Sequence, residues 1–323
     1  MIKDKDDVSI REFKKTDLDN LLEVAKKSFN KEFEISGFDP DHIKTMVDKA
    51  FSFSGKISLG FLKLFGNDPF KLFVAETDGK VVGTTMVNMK SKNGYIMAVM
   101  MHPIYRRKGI ATKLMKSALN YIQKKKLSRV ILHVESINTP AKELYNKFSF
   151  KKFESIVYLV AEIDSFWKPR GAEGILVKNF ENGDVESVFD LIKCSEDPLH
   201  LKMFNFKRKD LKNPFIKRVV SFSTNKKIVA IKNNKIVGYG EVSYTTSKEA
   251  GFIRNIHVYP DLRAKGIEEM LISTGVDYIR EIGTDKVIVI TSSKRAKLIE
   301  RMKQLEFANY LEMDAMFLKF QVN

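Results

Sequence analysis

The chain has 323 residues, of which 44% are hydrophobic and 11% aromatic, and it carries 56 lysines and arginines against 40 aspartates and glutamates. This length suits two domains of ordinary size, and the apolar content excludes a disordered chain. The single cysteine, Cys194, excludes an internal disulfide framework, and the five histidines lack the spacing of zinc ligands. We therefore expect a reducing, cytoplasmic setting and no metal.

The net charge of +16 raises the question of a nucleic-acid partner. The basic excess is spread over both halves of the chain and mixed with acids, and no basic–aromatic RNA-binding signature is present. These features predict a lysine-rich solvated surface and argue against a nucleic-acid partner. Apolar stretches are interrupted well short of a bilayer span and the N-terminus is charged, so we expect neither a membrane helix nor a signal peptide.

The first elements form a strand, a helix and a meander. Residues 8–13 read as a strand, and Asp17 is expected to cap the following helix, with Leu18, Leu21, Leu22 and Ala25 on its inner face. Residues 73–76 and 80–88 read as two strands joined by Asp78 and Gly79, a hairpin signal, and residues 94–101 read as a third antiparallel strand.

A crossover follows the meander. A helix is predicted next, because apolar residues recur every four positions at Ile110, Leu114, Ala118 and Ile122. A buried strand over 129–135 comes next, and a strand–helix–strand crossover requires parallel pairing. A short helix capped by Asn138 or Thr139 precedes terminal strands near Phe150 and over 156–163. The fold class expected is α/β, in the form of an α+β mixed sheet that is mostly antiparallel, with helices on both faces.

The chain repeats this pattern. Two turns match at a constant offset: Pro103, Arg106, Gly109 and Ile110 correspond to Pro260, Arg263, Gly266 and Ile267. Two tandem domains, 1–165 and 166–323, are the economical explanation, with a boundary near 165–172 where Pro169 and Gly171 interrupt regular structure.

The first of these turns is a candidate anion site. Glycine permits a tight turn, and the first amides of the following helix are ready donors to a pyrophosphate. By itself, a basic turn with one glycine is weak evidence for such a site and favours a plain solvated helix start. The candidate residues are Arg106, Arg107, Lys108, Gly109, Ile110, Ala111 and Thr112.

This turn resembles the Arg/Gln-x-x-Gly-x-Gly/Ala signature of the GNAT superfamily of acyl-CoA-dependent N-acyltransferases. The preceding strand end resembles the family's acyl-CoA strand, with Val99, Met100, Met101, His102 and Pro103. The following helix resembles the family's Asn-x-x-Ala-x-x-Leu-Tyr-x-x-x-Gly-Phe element, with Asn138, Ala141, Leu144, Tyr145, Phe148 and Phe150, and with Ser149 where glycine is usual. The match spans residues 8–163.

The resemblance implies an acetyl-CoA site. The sheet would splay beside the strand ending at Met101, the backbone of Val99, Met100 and Met101 would bind pantetheine, and the Met101 amide would stabilise the oxyanion. The turn 106–112 would hold the pyrophosphate. Asn138 would either cap its own helix or contact pantetheine, and Tyr145 would protonate the departing thiolate.

The general base remains open in the sequence. Glu135 ends a strand at the expected cleft and could act directly or through water, and Glu76 and His102 are further candidates. A structural or solvated role is equally available to each, and many family members use a water chain. The phenylalanine-rich segment 31–72 either packs as an inserted helix pair or covers the acceptor with an apolar pocket.

The second copy departs from the first at three positions. In place of Ala111, Asn138 and Tyr145 it carries Glu268, Arg295 and Met302. A carboxylate would oppose a pyrophosphate, and the presumed acid is missing. We therefore expect 1–165 to be the catalytic, acetyl-CoA-binding domain and 166–323 a degenerate GNAT-like domain.

The sequence thus predicts an N-acetyltransferase that moves an acetyl group from acetyl-CoA to a primary amine by direct attack in a ternary complex. The acceptor, a small molecule, a peptide N-terminus or a lysine, stays open, as does the choice between monomer and homodimer. The alternative is a non-catalytic acyl-CoA-binding or sensing protein.

Overall fold

The computed structural model describes residues 8–28, 70–90, 93–162, 172–204, 206–212, 223–245 and 249–320. Nearly all of the phenylalanine-rich segment 31–72 and of the predicted boundary 165–172 lies outside the described residues. Among the described helices, none combines the length and apolar character needed to cross a bilayer.

The chain forms two compact units, which differ from the predicted division at residue 165. The first comprises Met1–Val134, Asn138–Lys152 and Ala315–Asn323, and the second comprises Glu135–Ile137 and Phe153–Asp314. The difference arises because residues 156–162 pair antiparallel with a strand of the second unit, 286–292. The sequence boundary between the two copies stays a prediction.

The first unit is a mixed sheet with helices, as the sequence predicts. Its elements are β1 (Ser9–Glu12), α1 (Leu18–Ser28), β2 (Phe70–Thr77), β3 (Lys80–Lys90), β4 (Asn93–Met101), α2 (Ile110–Lys124), β5 (Arg129–Glu135) and α3 (Thr139–Lys147). The sheet order is β1-β2-β3-β4-β5, in which β4 and β5 are parallel and the other neighbours antiparallel. The turn between β2 and β3 has positive φ at both Asp78 and Gly79, which suits a two-residue hairpin.

Helix α2 packs as its periodicity predicts, because Ile110, Leu114, Ala118 and Ile122 are all buried. The start of α1 differs from the prediction for Asp17. This residue ends a short 3₁₀ turn, and its carboxylate accepts the Lys14 backbone N–H at 2.7 Å and two guanidinium bonds from Arg11. The bonds from Arg11 lower the pKa of the Asp17 carboxyl, so Asp17 joins the helix start to β1.

The second unit has the same kind of sheet. Its strands are β6 (Lys151–Glu162), β7 (Leu176–Asn179), β8 (Ser223–Lys232), β9 (Lys235–Thr245), β10 (Gly251–Val258), β11 (Lys286–Ser292) and β12 (Ala308–Lys319). They lie in the order β12-β6-β11-β10-β9-β8-β7, with β10 and β11 parallel. The helices are α4 (Val185–Ser195), α5 (Pro198–Phe204), α6 (Arg208–Leu211), α7 (Ile267–Glu281) and α8 (Ala296–Gln304). Residues 315–319 of β12 belong to the first unit, where they lie next to β5.

The repeat extends to the backbone dihedral angles. Residues with side chains rarely adopt positive φ, so a shared pattern of such residues is a specific mark of common geometry. The corresponding φ values are 51° and 53° for Ala98 and Asn255, 63° and 58° for Arg107 and Ala264, 77° and 85° for Gly109 and Gly266, and 64° and 65° for Ser149 and Glu306. Ser149, where the family usually has glycine, therefore takes the left-handed conformation that glycine favours.

Both units also place a glycine against an isoleucine of the long helix. A Cβ on Gly94 would lie 2.8 Å from Ile122, and one on Gly251 would lie 2.4 Å from Ile279. The glycines permit close contact between strand and helix, which a larger side chain would push apart.

Replacing Gly94 by alanine is expected to lower the free energy of unfolding by about 1–3 kcal/mol, since the added methyl overpacks a dense core. Urea unfolding measures the change. Gly183→Ala is the matched control, because a Cβ there meets nothing within 4 Å and its φ is not positive. Equal stability of Gly94→Ala and the control would contradict the close contact.

Candidate functional site

The central feature of the first unit is the early end of the β4–β5 pairing. The parallel register joins Asn93, Gly94 and Tyr95 to residues 129–131 and stops there, while β4 continues to Met101. A β-bulge lies at the same place, where the register with β3 shifts and Ala98 has φ 51°. Over the described stretch 96–101, the β5-facing backbone of β4 therefore has no ladder partner on β5.

The end of β4 is held firmly from both faces of the sheet. Met100 packs in a cluster with Leu21, Val24 and Ala25 of α1. Met101 is buried, and Val99 half-buried, against the core beneath α2. The Met101 carbonyl accepts bonds from the Ser28 hydroxyl at 3.0 Å and from Arg106 Nε at 3.3 Å. These contacts fix the strand end beside the unpaired edge.

The basic turn opens directly onto helix α2. Arg106, Arg107, Lys108 and Gly109 are exposed, Ile110 is buried, and Ala111 and Thr112 are half-buried. Within the described part of the chain, no side chain caps the first amides of α2, and a Cβ added to Gly109 would meet nothing within 4 Å. The N–H groups at the start of α2 are uncapped, there is space beside Gly109, and three basic side chains lie in the turn. An anionic group such as a diphosphate would fit there.

Helix α3 carries the two polar residues of the family motif. The Asn138 side-chain oxygen accepts the Ala141 N–H at 3.2 Å, so the capping role is present. Tyr145 is only 6% exposed, and its ring lies 6.1 Å from that of Phe150. The phenol therefore belongs to the apolar core around the cleft, where water competes weakly for its proton.

The three base candidates are placed differently. Glu76 accepts a 2.5 Å hydrogen bond from Arg11 and is held in an ion pair. His102 Nε2 lies 3.2 Å from the Lys27 amine, and its buried Nδ1 has no hydrogen-bond partner among the described residues. Glu135 is half-buried at the end of β5 and belongs, with Ser136, to the second compact unit.

Comparison with known proteins decides the family. The sequence profile described as "Acetyltransferase (GNAT) family" matches residues 28–150 and again residues 189–307, which together cover most of the chain. The chain belongs to the GNAT acetyltransferase family. It is an acyltransferase, and the double match confirms the predicted repeat.

Among curated GNAT relatives, an uncharacterized N-acetyltransferase of Methanocaldococcus jannaschii is 27% identical over 143 residues, 44% of this chain and 77% of the relative. An N-alpha-acetyltransferase of Sulfurisphaera tokodaii is 32% identical over 103 residues, 28% of this chain and 62% of the relative.

Solved structures show the tandem GNAT fold over nearly the whole length. A tandem GNAT protein from the clavulanic acid biosynthesis pathway matches with a TM-score of 0.66 at 14% identity, covering 98% of this chain and 100% of that one. A GCN5-related N-acetyltransferase from Sphaerobacter thermophilus matches with a TM-score of 0.65 at 16% identity, covering 98% and 96%.

The second GNAT unit contains a polar cluster that sequence reasoning missed. His200 Nδ1 lies 2.5 Å from Glu154, and ligand atoms of these two residues and Glu196 lie within 4.8 Å of one another, a spacing that a metal ion could bridge. Burial is the largest single influence and opposes charge on both partners, but their hydrogen bond and mutual attraction, together with nearby charged groups, outweigh it, so the pKa of His200 is raised and that of Glu154 is lowered. The arrangement is therefore explained as an ion pair between residues distant in sequence.

His257 of β10 is a further buried group in this unit. Its Nδ1 lies 3.1 Å from the Ser195 hydroxyl and 3.7 Å from Glu196. Burial, followed by the charges of Arg295, His200 and Arg263, lowers the pKa of His257 to about 3, so the imidazole is neutral at pH 7.

Acidification from pH 7 to pH 5 is expected to destabilise the second unit through His257 by about 2 kcal/mol. The folded pKa lies below the unfolded value of 6.5, so the unfolded chain binds the extra proton and stability falls as the pH drops through this window. The raised pKa of His200 acts in the opposite sense and adds stability as the pH falls through this window, so the loss through His257 is read from the comparison with His257→Gln, which keeps His200. Urea unfolding of the parent and of His257→Gln at both pH values measures the difference, with His133→Gln as an exposed control. The same pH slope in all three proteins would contradict the assignment.

Proposed function

We propose that the protein is an N-acetyltransferase whose active site lies in the first unit and which transfers acetyl from acetyl-CoA to a primary amine within a ternary complex. The observation that supports this proposal is the combination of two features: the open edge of β4, and the basic, uncapped start of the next helix, α2, with space beside Gly109. Met101 and Tyr145 beside this edge belong to an apolar cluster and the turn is basic, a combination that suits a thioester attached to a diphosphate.

The residues of the turn would bind the cofactor's diphosphate. The first amides of α2, at Ile110, Ala111 and Thr112, would donate hydrogen bonds to it. The side chains of Arg106, Arg107 and Lys108 would add positive charge. The backbone groups of Val99, Met100 and Met101 would pair with pantetheine as an added strand would. Asn138 uses its side-chain oxygen as a cap, and its side-chain nitrogen remains able to donate to pantetheine.

When bound, acetyl-CoA supplies a thioester that a neutral amine can attack. The Met101 amide would stabilise the negative charge that develops on the acyl oxygen. As the C–N bond forms and the C–S bond breaks, Tyr145 would give its phenolic proton to the sulfur, and the amine would lose a proton to a base. Tyr145 is suited to this role because its ring is fixed in the core against Phe150.

The acceptor class to test first is a peptide α-amine. The relatives from Sulfurisphaera tokodaii and Saccharolobus solfataricus are named N-alpha-acetyltransferase, the latter at 27% identity over 149 residues. Lysine side chains and small amines are the next classes. A cytoplasmic location is part of the same proposal.

The deciding experiment incubates the protein with acetyl-CoA and a panel of peptides, free lysine and small amines, and measures release of free thiol. We expect release above the hydrolysis blank with at least one class. Thermal stabilisation by CoA without transfer to any amine would favour the rival acyl-CoA-binding or sensing protein.

A further inference from the structure

The second unit carries the same turn and the same early end of strand pairing as the first, yet one amide of its turn and one carbonyl of its strand edge are bonded to its own side chains. We propose that the ion pair of Arg295 and Glu268 closes the second unit to acyl-CoA, so that these residues determine which copy takes the cofactor. This inference rests on the proposed function, because it takes the first unit's cleft as the working site.

Glu268 places a carboxylate at the second turn. It is the second residue of α7, where Ala111 stands in α2, and its side chain is only 5% exposed. One carboxylate oxygen accepts the Ala264 N–H at 3.0 Å, and the other pairs with Arg295. The turn amide thus already binds an anion, one supplied by the protein itself.

Arg295 occupies the pantetheine position. It is the residue before α8, where Asn138 stands before α3. Its guanidinium donates to the Ile256 carbonyl at 3.0 Å, and Ile256 corresponds to Val99, one of the backbone groups proposed to bind the cofactor. The β10–β11 ladder pairs residues 251–253 with 287–289 only, so the side chain lies beside β10 beyond the last ladder pair.

The glycine of the second turn is also covered. A Cβ on Gly266 would lie 3.0 Å from the Cβ of Ala172, whereas the space beside Gly109 is empty to 4 Å. Backbone geometry is the same in both turns, with φ 77° and 85°. The two units therefore differ in the side chains at the turn and at the strand edge and not in their backbone frame.

The test transplants the pair into the first unit as Ala111→Glu with Asn138→Arg, and measures CoA binding by calorimetry. The parent is expected to bind one CoA per chain, and the transplanted variant to bind at least 100-fold more weakly. Because the two substitutions together add no net charge, the weaker CoA binding would come from the new side chains occupying the cofactor site. Asn120→Glu with Asn146→Arg places the same charges on exposed positions of α2 and α3 and is expected to bind as the parent does.

Each outcome is decisive. The proposal that the ion pair excludes acyl-CoA would be wrong if the parent bound two CoA per chain, or if the transplanted variant bound CoA as tightly as the parent. Neither result would contradict acetyl transfer by the first unit. A parent that binds no CoA would overturn the proposed function and this inference together. If the double variant does not fold, Asn138→Arg alone replaces it, since an arginine there is expected to reach the Val99 carbonyl and weaken binding at least 10-fold.

Discussion

Replacing Tyr145 by phenylalanine is expected to lower the rate of acetyl transfer by about 100-fold or more, the usual contribution of a positioned general acid. The substitution removes only the hydroxyl, and the ring keeps its place against Phe150 in the buried cluster. The fold and the affinity for acetyl-CoA should therefore change little, since the turn at Gly109 is the part proposed to bind the distant end of the cofactor. A fall in kcat at constant KM for acetyl-CoA is the expected pattern.

Single-turnover measurements of thiol release are the appropriate readout, because slow product release would hide a loss in the chemical step. Tyr121→Phe is the control, as Tyr121 lies on α2 with its ring against Phe73, away from the motif. If Tyr145→Phe turns over as the parent does at every pH, the phenol is not the acid.

Local sequence signals predict most of the first unit. The four-residue period from Ile110 to Ile122 predicts the buried face of α2, and Asp78-Gly79 predicts the hairpin, because each depends on neighbouring residues alone. The grouping of residues 153–162 with the second unit was not predictable in this way. Alternation of apolar residues shows which face of a strand is buried, but it does not identify the neighbouring strand.

The sites show the same limit. The motif residues predict the turn and the unpaired strand edge. Glu268, at the position of the second copy that corresponds to Ala111, predicts a negative charge that would repel a diphosphate at the second turn. The sequence cannot show that Arg295 reaches the Ile256 carbonyl, nor that His200 meets Glu154, because both contacts join residues on separate elements. Such contacts depend on side-chain direction after folding, which periodicity does not encode.

Replacing Arg295 by asparagine is expected to lower the free energy of unfolding of the second unit by about 3–5 kcal/mol, because it leaves the Glu268 carboxylate buried without its counterion. Adding Glu268→Ala should recover most of this loss, since removing both charges also removes the cost of burying them. A double-mutant cycle by urea unfolding gives the coupling directly. Arg208→Asn is the matched control, because Arg208 pairs with Glu186 at 2.7 Å with both side chains exposed, and such pairs contribute about 1 kcal/mol or less. Additive losses for Arg295 and Glu268 would show that the two charges are solvated independently, and a solvated pair could not fill the cleft of the second unit.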